Sequence, residues 1–207
     1  MIAIIDYGVG NLFSLRCSLA HIGADAVVTG EPAVIAAADR LILPGVGAFG
    51  DAARKLRESG MDRVVLDEAE RGKPLLGICL GMQLLFEKSY EYGEHAGLGL
   101  LRGSVVPMAG RLPAELKIPQ IGWNALHLTG RESPLLRYVQ EGDFVYFVHS
   151  YFADGCADSL LATTEYGEAL TAMVGKGNVF GCQFHPEKSG AAGLNILRAF
   201  CELGAKG

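Results

Sequence analysis

The chain has 207 residues, 50% of them hydrophobic and 20% charged, a composition that can fill a core and excludes a disordered scaffold. The formal net charge is −5 and the 18 lysines and arginines are scattered, so the electrostatic footprint of a nucleic-acid binder or of a protein held to an anionic membrane is missing. The cysteines Cys17, Cys79, Cys156, Cys182 and Cys201 are far apart and contain no C-x-x-C pair, so neither a disulfide framework nor a zinc site is expected.

No linker divides the chain, and a single domain over residues 1–207 is expected. Its first residues lack a basic segment, and the apolar run stops at Asp6. The uncharged stretch Pro74–Phe86 is shorter than the roughly 18 residues that span a bilayer. The cytoplasm is the expected location.

In chain order, Ile2–Ile5 reads as a buried strand. A glycine turn follows, then a helix with Asn11 as N-cap and Leu12, Leu15, Leu19 and Ile22 on one face. Ala26–Val28 and Leu41–Leu43 are further strands, the second running into Pro44-Gly45-Val46-Gly47. Helices are expected over Ala48–Glu58 and Asp62–Arg71, then a strand over Leu75–Ile78 that turns at Cys79 into a helix from Leu80 to Phe86. Short apolar strands alternating with helices give an α/β fold, with a mainly parallel sheet covered on both faces. Beyond it, Ser104–Val106, Ala125–Leu128, Phe144–Val148, Leu160–Thr164, Thr171–Val174 and Val179–Phe184 read as strands with few helices between them, an antiparallel or mixed extension. A last helix starts at Ser189 and ends near Leu203.

The sharpest chemical signal is Gly77-Ile78-Cys79-Leu80-Gly81, a G-x-C-x-G where a strand meets a helix. That is the layout of a nucleophile elbow, whose flanking glycines let strand and helix approach closely. A helix N-terminus there favours the thiolate and aims the Leu80 amide at a developing oxyanion. A buried, inert cysteine is the competing reading of the pentapeptide alone. The general base is sought in Phe184-His185-Pro186-Glu187. Pro186 keeps His185 extended, so Glu187 two residues on reaches the same side and can fix the imidazole's tautomer. Alone, His185-Pro186-Glu187 would more often be a surface turn; joined to the elbow it reads as base and orienting carboxylate. Pro44–Gly47 can add backbone donors for the oxyanion. Gly8-Val9-Gly10 is not a dinucleotide fingerprint, because its third glycine would fall on Phe13. His21, His95 and His127 read as structural, and no cofactor or metal is expected.

The order of Gly45-Val46-Gly47, Gly77-Ile78-Cys79-Leu80-Gly81-Met82-Gln83 and His185-Pro186-Glu187 resembles the class I glutamine amidotransferase family along nearly the whole chain. The resemblance implies a flavodoxin-like core and hydrolysis of L-glutamine to glutamate and ammonia, with Cys79 as nucleophile, His185 as acid and base, and Glu187 orienting it. By the same resemblance, Leu80 with Val46 or Gly47 forms the oxyanion hole, and that second peptide is one that flips. Gln83, Glu91, Ser150 and Tyr151 fall at glutamine-binding positions. Asp6–Asn11, Ile121-Gly122-Trp123-Asn124 and Tyr146–Tyr151 are similar to glutaminase subunits that form a heterodimer with a separate cyclase of (β/α)8 barrel fold. Asn11, Trp123, Tyr146 and Lys188 would then face the partner, although burial in a core would equally explain the one Trp. The alternatives are subunits feeding anthranilate or aminodeoxychorismate synthases, a free-standing hydrolase of this fold, and a non-catalytic interaction module.

Overall fold

The computed structural model of the chain describes residues 1–204. The first half alternates: β1 (Ile2–Ile5), α1 (Leu12–His21), β2 (Ala26–Thr29), α2 (Pro32–Ala37), β3 (Arg40–Leu43), α3 (Phe49–Glu58), α4 (Met61–Glu70), β4 (Leu75–Ile78) and α5 (Leu80–Leu84). Strands then dominate: β5 (Phe86–Ser89), β6 (His95–Ala96), β7 (Leu101–Pro107), β8 (Gln120–Ala125), β9 (His127–Leu128), β10 (Phe144–His149), β11 (Tyr151–Asp154), β12 (Leu160–Glu165), β13 (Ala169–Lys176) and β14 (Val179–Cys182). Helix α6 (Gly190–Glu202) follows.

The main sheet has the order β2-β1-β3-β4-β14-β13-β12-β9. It is parallel from β2 to β14 and antiparallel beyond. Successive side chains of a strand point to opposite faces, and both faces here are apolar. Ala3, Ile5, Leu41, Leu43 and Leu75 pack with Ile35, Leu56 and Val65 from the helices of one face. Ile2, Ile4, Ile42, Leu76 and Ile78 pack with Leu15, Leu19, Ile196 and Phe200 from α1 and α6 on the other. The mixed extension supplies two smaller sheets, β11-β7-β5-β6 and the antiparallel pair β10-β8.

Several elements differ from the sequence reading. The helix after Cys79 ends at Leu84, and Phe86 opens β5 instead of closing the helix. Phe86 is fully buried and pairs with Leu101, so a strand partner far along the chain overrides local apolar periodicity. The expected strand Ala125–Leu128 is two strands broken at Leu126, the first reaching back to Gln120. Strand β14 stops at Cys182, short of Phe184. Asn11 precedes α1, but its side chain makes no capping hydrogen bond. The last helix begins at Gly190, one residue after Ser189. The loops that leave β1, β3, β4 and β14 at their C-terminal ends share one edge of the parallel sheet, where open α/β folds place their sites.

Candidate active site

Cys79 sits between β4 and α5 with φ 54° and ψ −114°, a region that L-residues avoid. The strain is enforced by contact. A Cβ on Gly81 would lie 1.9 Å from the carbonyl oxygen of Leu43, and one on Gly77 would lie 2.7 Å from the Cα of Met82. The two glycines therefore let the helix start pack onto the ends of β3 and β4. The Cys79 N–H donates to the Cys182 carbonyl at 2.8 Å, which ties the elbow to β14.

Strand β14 leads into the turn that carries His185, the expected base. His185 is 3% exposed, and its Nδ1 lies 2.8 Å from Glu187 Oε1, a carboxylate whose side chain is buried. Burial opposes the charged imidazole, but hydrogen bonds with Cys79 and Glu187 and their negative charge outweigh it, raising its pKa to about 9. Its two partners therefore favour the protonated form of the ring. Strand β10 fastens this turn through its backbone: the His185 N–H donates to the Tyr146 carbonyl at 3.0 Å, and the Tyr146 N–H donates to Ser189 Oγ at 2.9 Å. Cys182 is fully buried nearby, and burial holds its thiol well above the ordinary range, leaving Cys79 as the thiol at the pocket.

A pocket of about 300 Å³ opens over Cys79. Val46, Gly47 and Leu80 line one side; Gln83, Glu91, Ser150, Tyr151 and His185 complete most of the rest. The structure therefore brings together the triad, the oxyanion candidates and the residues expected to bind glutamine. Among the described residues, the N–H groups of Val46, Gly47 and Leu80 make no hydrogen bond to the protein, so they are available to a ligand anion. The loop that carries two of them is anchored at its start, where the buried Tyr7 hydroxyl donates to the Pro44 carbonyl at 2.8 Å. Gln83 spends its side-chain NH₂ on the Tyr151 carbonyl and on Gln183 Oε1, both at 3.0 Å, which leaves its own oxygen as the acceptor facing the pocket. The Glu91 carboxylate accepts from the Phe49 N–H at the start of α3.

Trp123 is 52% exposed, which removes its reading as a core residue. It lies edge-on to Tyr146, with ring centroids 6.1 Å apart, and Lys188 Nζ stands 5.9 Å from the Tyr146 ring centre. Ile121 and Phe144 are exposed beside them on the same strand pair. Asn11 is half-buried at the start of α1, on the sheet edge that carries Cys79. Sequence reasoning missed His149, Gln120 and Gln183, all buried polar side chains around the pocket. The available signal was a polar residue at an inward position of an otherwise apolar strand, as in Phe147-Val148-His149.

His149 also sets a pH limit on the fold. Burial lowers its pKa to about 4; the hydrogen bond to the Tyr151 carbonyl opposes part of that shift and the His185 charge adds to it. A folded pKa below the unfolded value of about 6.5 gives stability that is complete above that pH and is lost as pH falls toward 4. By pH 5 the loss is about 2 kcal/mol. Urea unfolding at pH 7 and pH 5 is expected to show this drop in the wild type and a smaller one in His149→Asn; equal drops would contradict it.

The fold and this constellation define a cysteine-dependent amidase on a glutamine amidotransferase scaffold. The profile of the family described as glutamine amidotransferase class-I matches residues 3–203, and the chain belongs to that family. It is 50% identical over 206 residues to the imidazole glycerol phosphate synthase subunit HisH of Wolinella succinogenes, covering 99% of this chain and 100% of that one. Identity to the subunit of the same name from Bacillus velezensis is 52% over 212 residues, covering 100% and 98%. A solved structure described as a glutamine amidotransferase matches with a TM-score of 0.76 at 21% identity, over 98% of each chain. PurLQS from Thermotoga maritima matches with a TM-score of 0.72 at 21% identity over 96% of each chain, evidence for the fold alone. Among the described residues, no helix is long and apolar enough to cross a membrane.

Proposed function

We propose that this chain is the glutaminase subunit of imidazole glycerol phosphate synthase. It hydrolyses L-glutamine and passes ammonia to a cyclase subunit of (β/α)8 barrel fold, which forms imidazole glycerol phosphate and aminoimidazole carboxamide ribotide in histidine biosynthesis. The observation that carries the chemistry is the strained Cys79 at the floor of the pocket, backed by the buried His185–Glu187 pair. Relatives named HisH, about half identical over their full length, favour this partner over the anthranilate or aminodeoxychorismate type.

In the reaction, the Cys79 thiolate attacks the side-chain amide carbon of glutamine, and the oxygen becomes an oxyanion held by the Leu80 N–H and one from Val46 or Gly47. As the C–N bond breaks, protonated His185 gives its proton to the leaving nitrogen, releasing ammonia and leaving a thioester. The now neutral imidazole takes a proton from water, whose oxygen attacks the thioester carbon. Collapse then frees glutamate and restores the thiolate. Glu187 holds Nδ1 throughout, so the other ring nitrogen faces the reaction. Gln83 and Glu91 supply acceptors for the ammonium group of the substrate. Trp123, Tyr146, Lys188 and Asn11 form part of the cyclase-facing surface, with Trp123 as an aromatic anchor. The cytoplasm is the setting for this chemistry.

The assay is glutamate release by the chain alone and with a cyclase subunit carrying its nucleotide ligand. Strong stimulation by the loaded partner is expected; high activity that ignores it would assign a free-standing hydrolase. The oxyanion peptide can be tested in the same assay. Gly47 has φ +89° with open space where a Cβ would project, so Gly47→Ala strains the present conformation without a clash. Turning over the Val46–Gly47 peptide brings φ of residue 47 near −90°, which alanine accepts. If the resting peptide is the inactive one, Gly47→Ala raises the unstimulated rate by about tenfold and lowers the stimulation ratio. A reduced unstimulated rate would mean that the resting peptide is already the active one.

A further inference from the structure

Strand β14 ends at Cys182, and the next residue, Gln183, is a fully buried amide between the core residues Cys182 and Phe184. Its backbone N–H donates to the Ala172 carbonyl at 2.9 Å, so the main chain holds it in place two residues before His185. A primary amide enclosed in apolar surroundings is costly unless its oxygen and its NH₂ both find partners. Here the oxygen accepts from Gln83 Nε2 at 3.0 Å, and the NH₂ is turned toward the Cys79 sulfur, 3.9 Å away. One end of Gln183 therefore meets the nucleophile, and the other meets the α5 residue whose oxygen is left for the pocket.

These hydrogen bonds run in one direction. A carbonyl oxygen only accepts, so the Tyr151 carbonyl takes one N–H of Gln83, at 3.0 Å. The Gln183 oxygen takes the second N–H of the same NH₂. That oxygen is then committed, which leaves the Gln183 NH₂ for the sulfur, an acceptor that strengthens as a thiolate. Both ends of the relay accept N–H groups, and the two amides between them have a single orientation that suits both. Turning Gln83 over would set its oxygen against the Tyr151 carbonyl and the Gln183 oxygen. Turning Gln183 over would set its oxygen against the sulfur and its NH₂ against that of Gln83.

We propose that Gln183 is a positioning residue for the substrate: its oxygen fixes the Gln83 amide with Oε1 toward the pocket, where that oxygen accepts from the α-ammonium group of glutamine. This rests on the reading of the pocket as a glutamine site. The Cys79 sulfur, by taking the Gln183 NH₂, keeps the relay pointed that way, so the group that attacks the substrate also sets the polarity of the residue that holds it. A reversed Gln83 would present its NH₂ to the ammonium group and repel it.

The kinetic test uses glutamine hydrolysis by the complex with a ligand-loaded cyclase subunit, in variants whose melting temperature matches the wild type. Glutaramate, which is glutamine without its ammonium group, serves as competitor. In Gln183→Met the Gln83 amide loses one of its two partners, and the KM for glutamine is expected to rise by about tenfold while the inhibition constant of glutaramate stays within about twofold. Gln183→Glu keeps an oxygen for the Gln83 N–H and is expected to hold both constants near the wild type, whatever its kcat. A parallel rise of both constants in Gln183→Met marks a merely structural residue and overturns the proposal, as does an equal loss of glutamine selectivity in Gln183→Glu. The test that needs neither substrate nor variant is ¹H–¹⁵N NMR of the Gln83 side-chain NH₂ in the full chain. Slow exchange of both hydrogens with solvent is expected; fast exchange overturns the relay. If the wild-type complex hydrolyses no glutamine, the substrate reading fails while the exchange result still decides the arrangement of Gln83 and Gln183.

Discussion

Cys79→Ala is expected to lower glutamine hydrolysis by the loaded complex by about 10⁴-fold or more, because no other group at the pocket can form the thioester. Glu187→Gln should lose about 10²- to 10⁴-fold while leaving covalent chemistry detectable. Its amide can still sit 2.8 Å from His185 Nδ1, but it can present an NH₂ there and stabilise the wrong tautomer. The two variants are separated by a cysteine-directed glutamine analogue: Glu187→Gln labels slowly at Cys79 and Cys79→Ala does not label. Rapid hydrolysis by Cys79→Ala would remove the assignment altogether. A third substitution exposes the conformational cost of the elbow. With φ 54° at position 79, Cys79→Gly is as inactive as Cys79→Ala but more stable than it by about 1 kcal/mol, read from paired thermal melts. Equal stability would mean that the elbow is unstrained.

The second large effect is on folding. Gly81→Ala places a methyl group 1.9 Å from the Leu43 carbonyl oxygen and 2.8 Å from its carbonyl carbon, both backbone atoms of a central parallel strand that cannot swing aside as a side chain could. Relief requires moving α5 away from β3, which separates packed core residues on both elements. A loss above about 4 kcal/mol is expected, with a fall in melting temperature of roughly 10 °C or more, or no soluble protein. Wild-type melting behaviour in Gly81→Ala would show that the helix start has room the structure denies it. The same steric argument covers Gly77, whose Cβ would meet Gly81 O and Met82 Cα at 2.7 Å.

These two glycines show why the tight strand-to-helix turn at Cys79 was legible in the sequence. A nucleophile elbow is a local solution to a local steric problem, and its residues lie within five positions. The His185–Glu187 contact was expected from an extended segment, but only His185 is extended; Pro186–Lys188 forms a 3-10 turn that brings the carboxylate back to the ring. The parallel half of the sheet could be read from strands apolar at every position, such as Ile2-Ala3-Ile4-Ile5. Features set by distant partners were not legible. Phe86 looks like a continuation of the helical run until Leu101 pairs with it. Gln120 looks like an ordinary loop residue until β10 brings His149 opposite. Pro32–Ala37 went unread as a helix because six residues are too few to show a period, and its stability comes from Ile35 in the core. Trp123 could be read either way, since a lone aromatic residue carries no sign of the face it will occupy.

The β8–β10 pair forms its own two-stranded sheet, separate from the parallel body that carries Cys79. Yet the backbone of Tyr146, in this pair, holds both ends of the turn that contains His185. Cys79 and His185 both follow strands of the main sheet, but the His185 turn is also fastened to a second sheet that can open separately. Detaching the strand pair would release the His185 turn on one side while the main sheet stays folded, and burial of the outer face of that pair would oppose the detachment. Amide exchange at His185, whose N–H is bonded across this seam, is the natural reporter of that detachment.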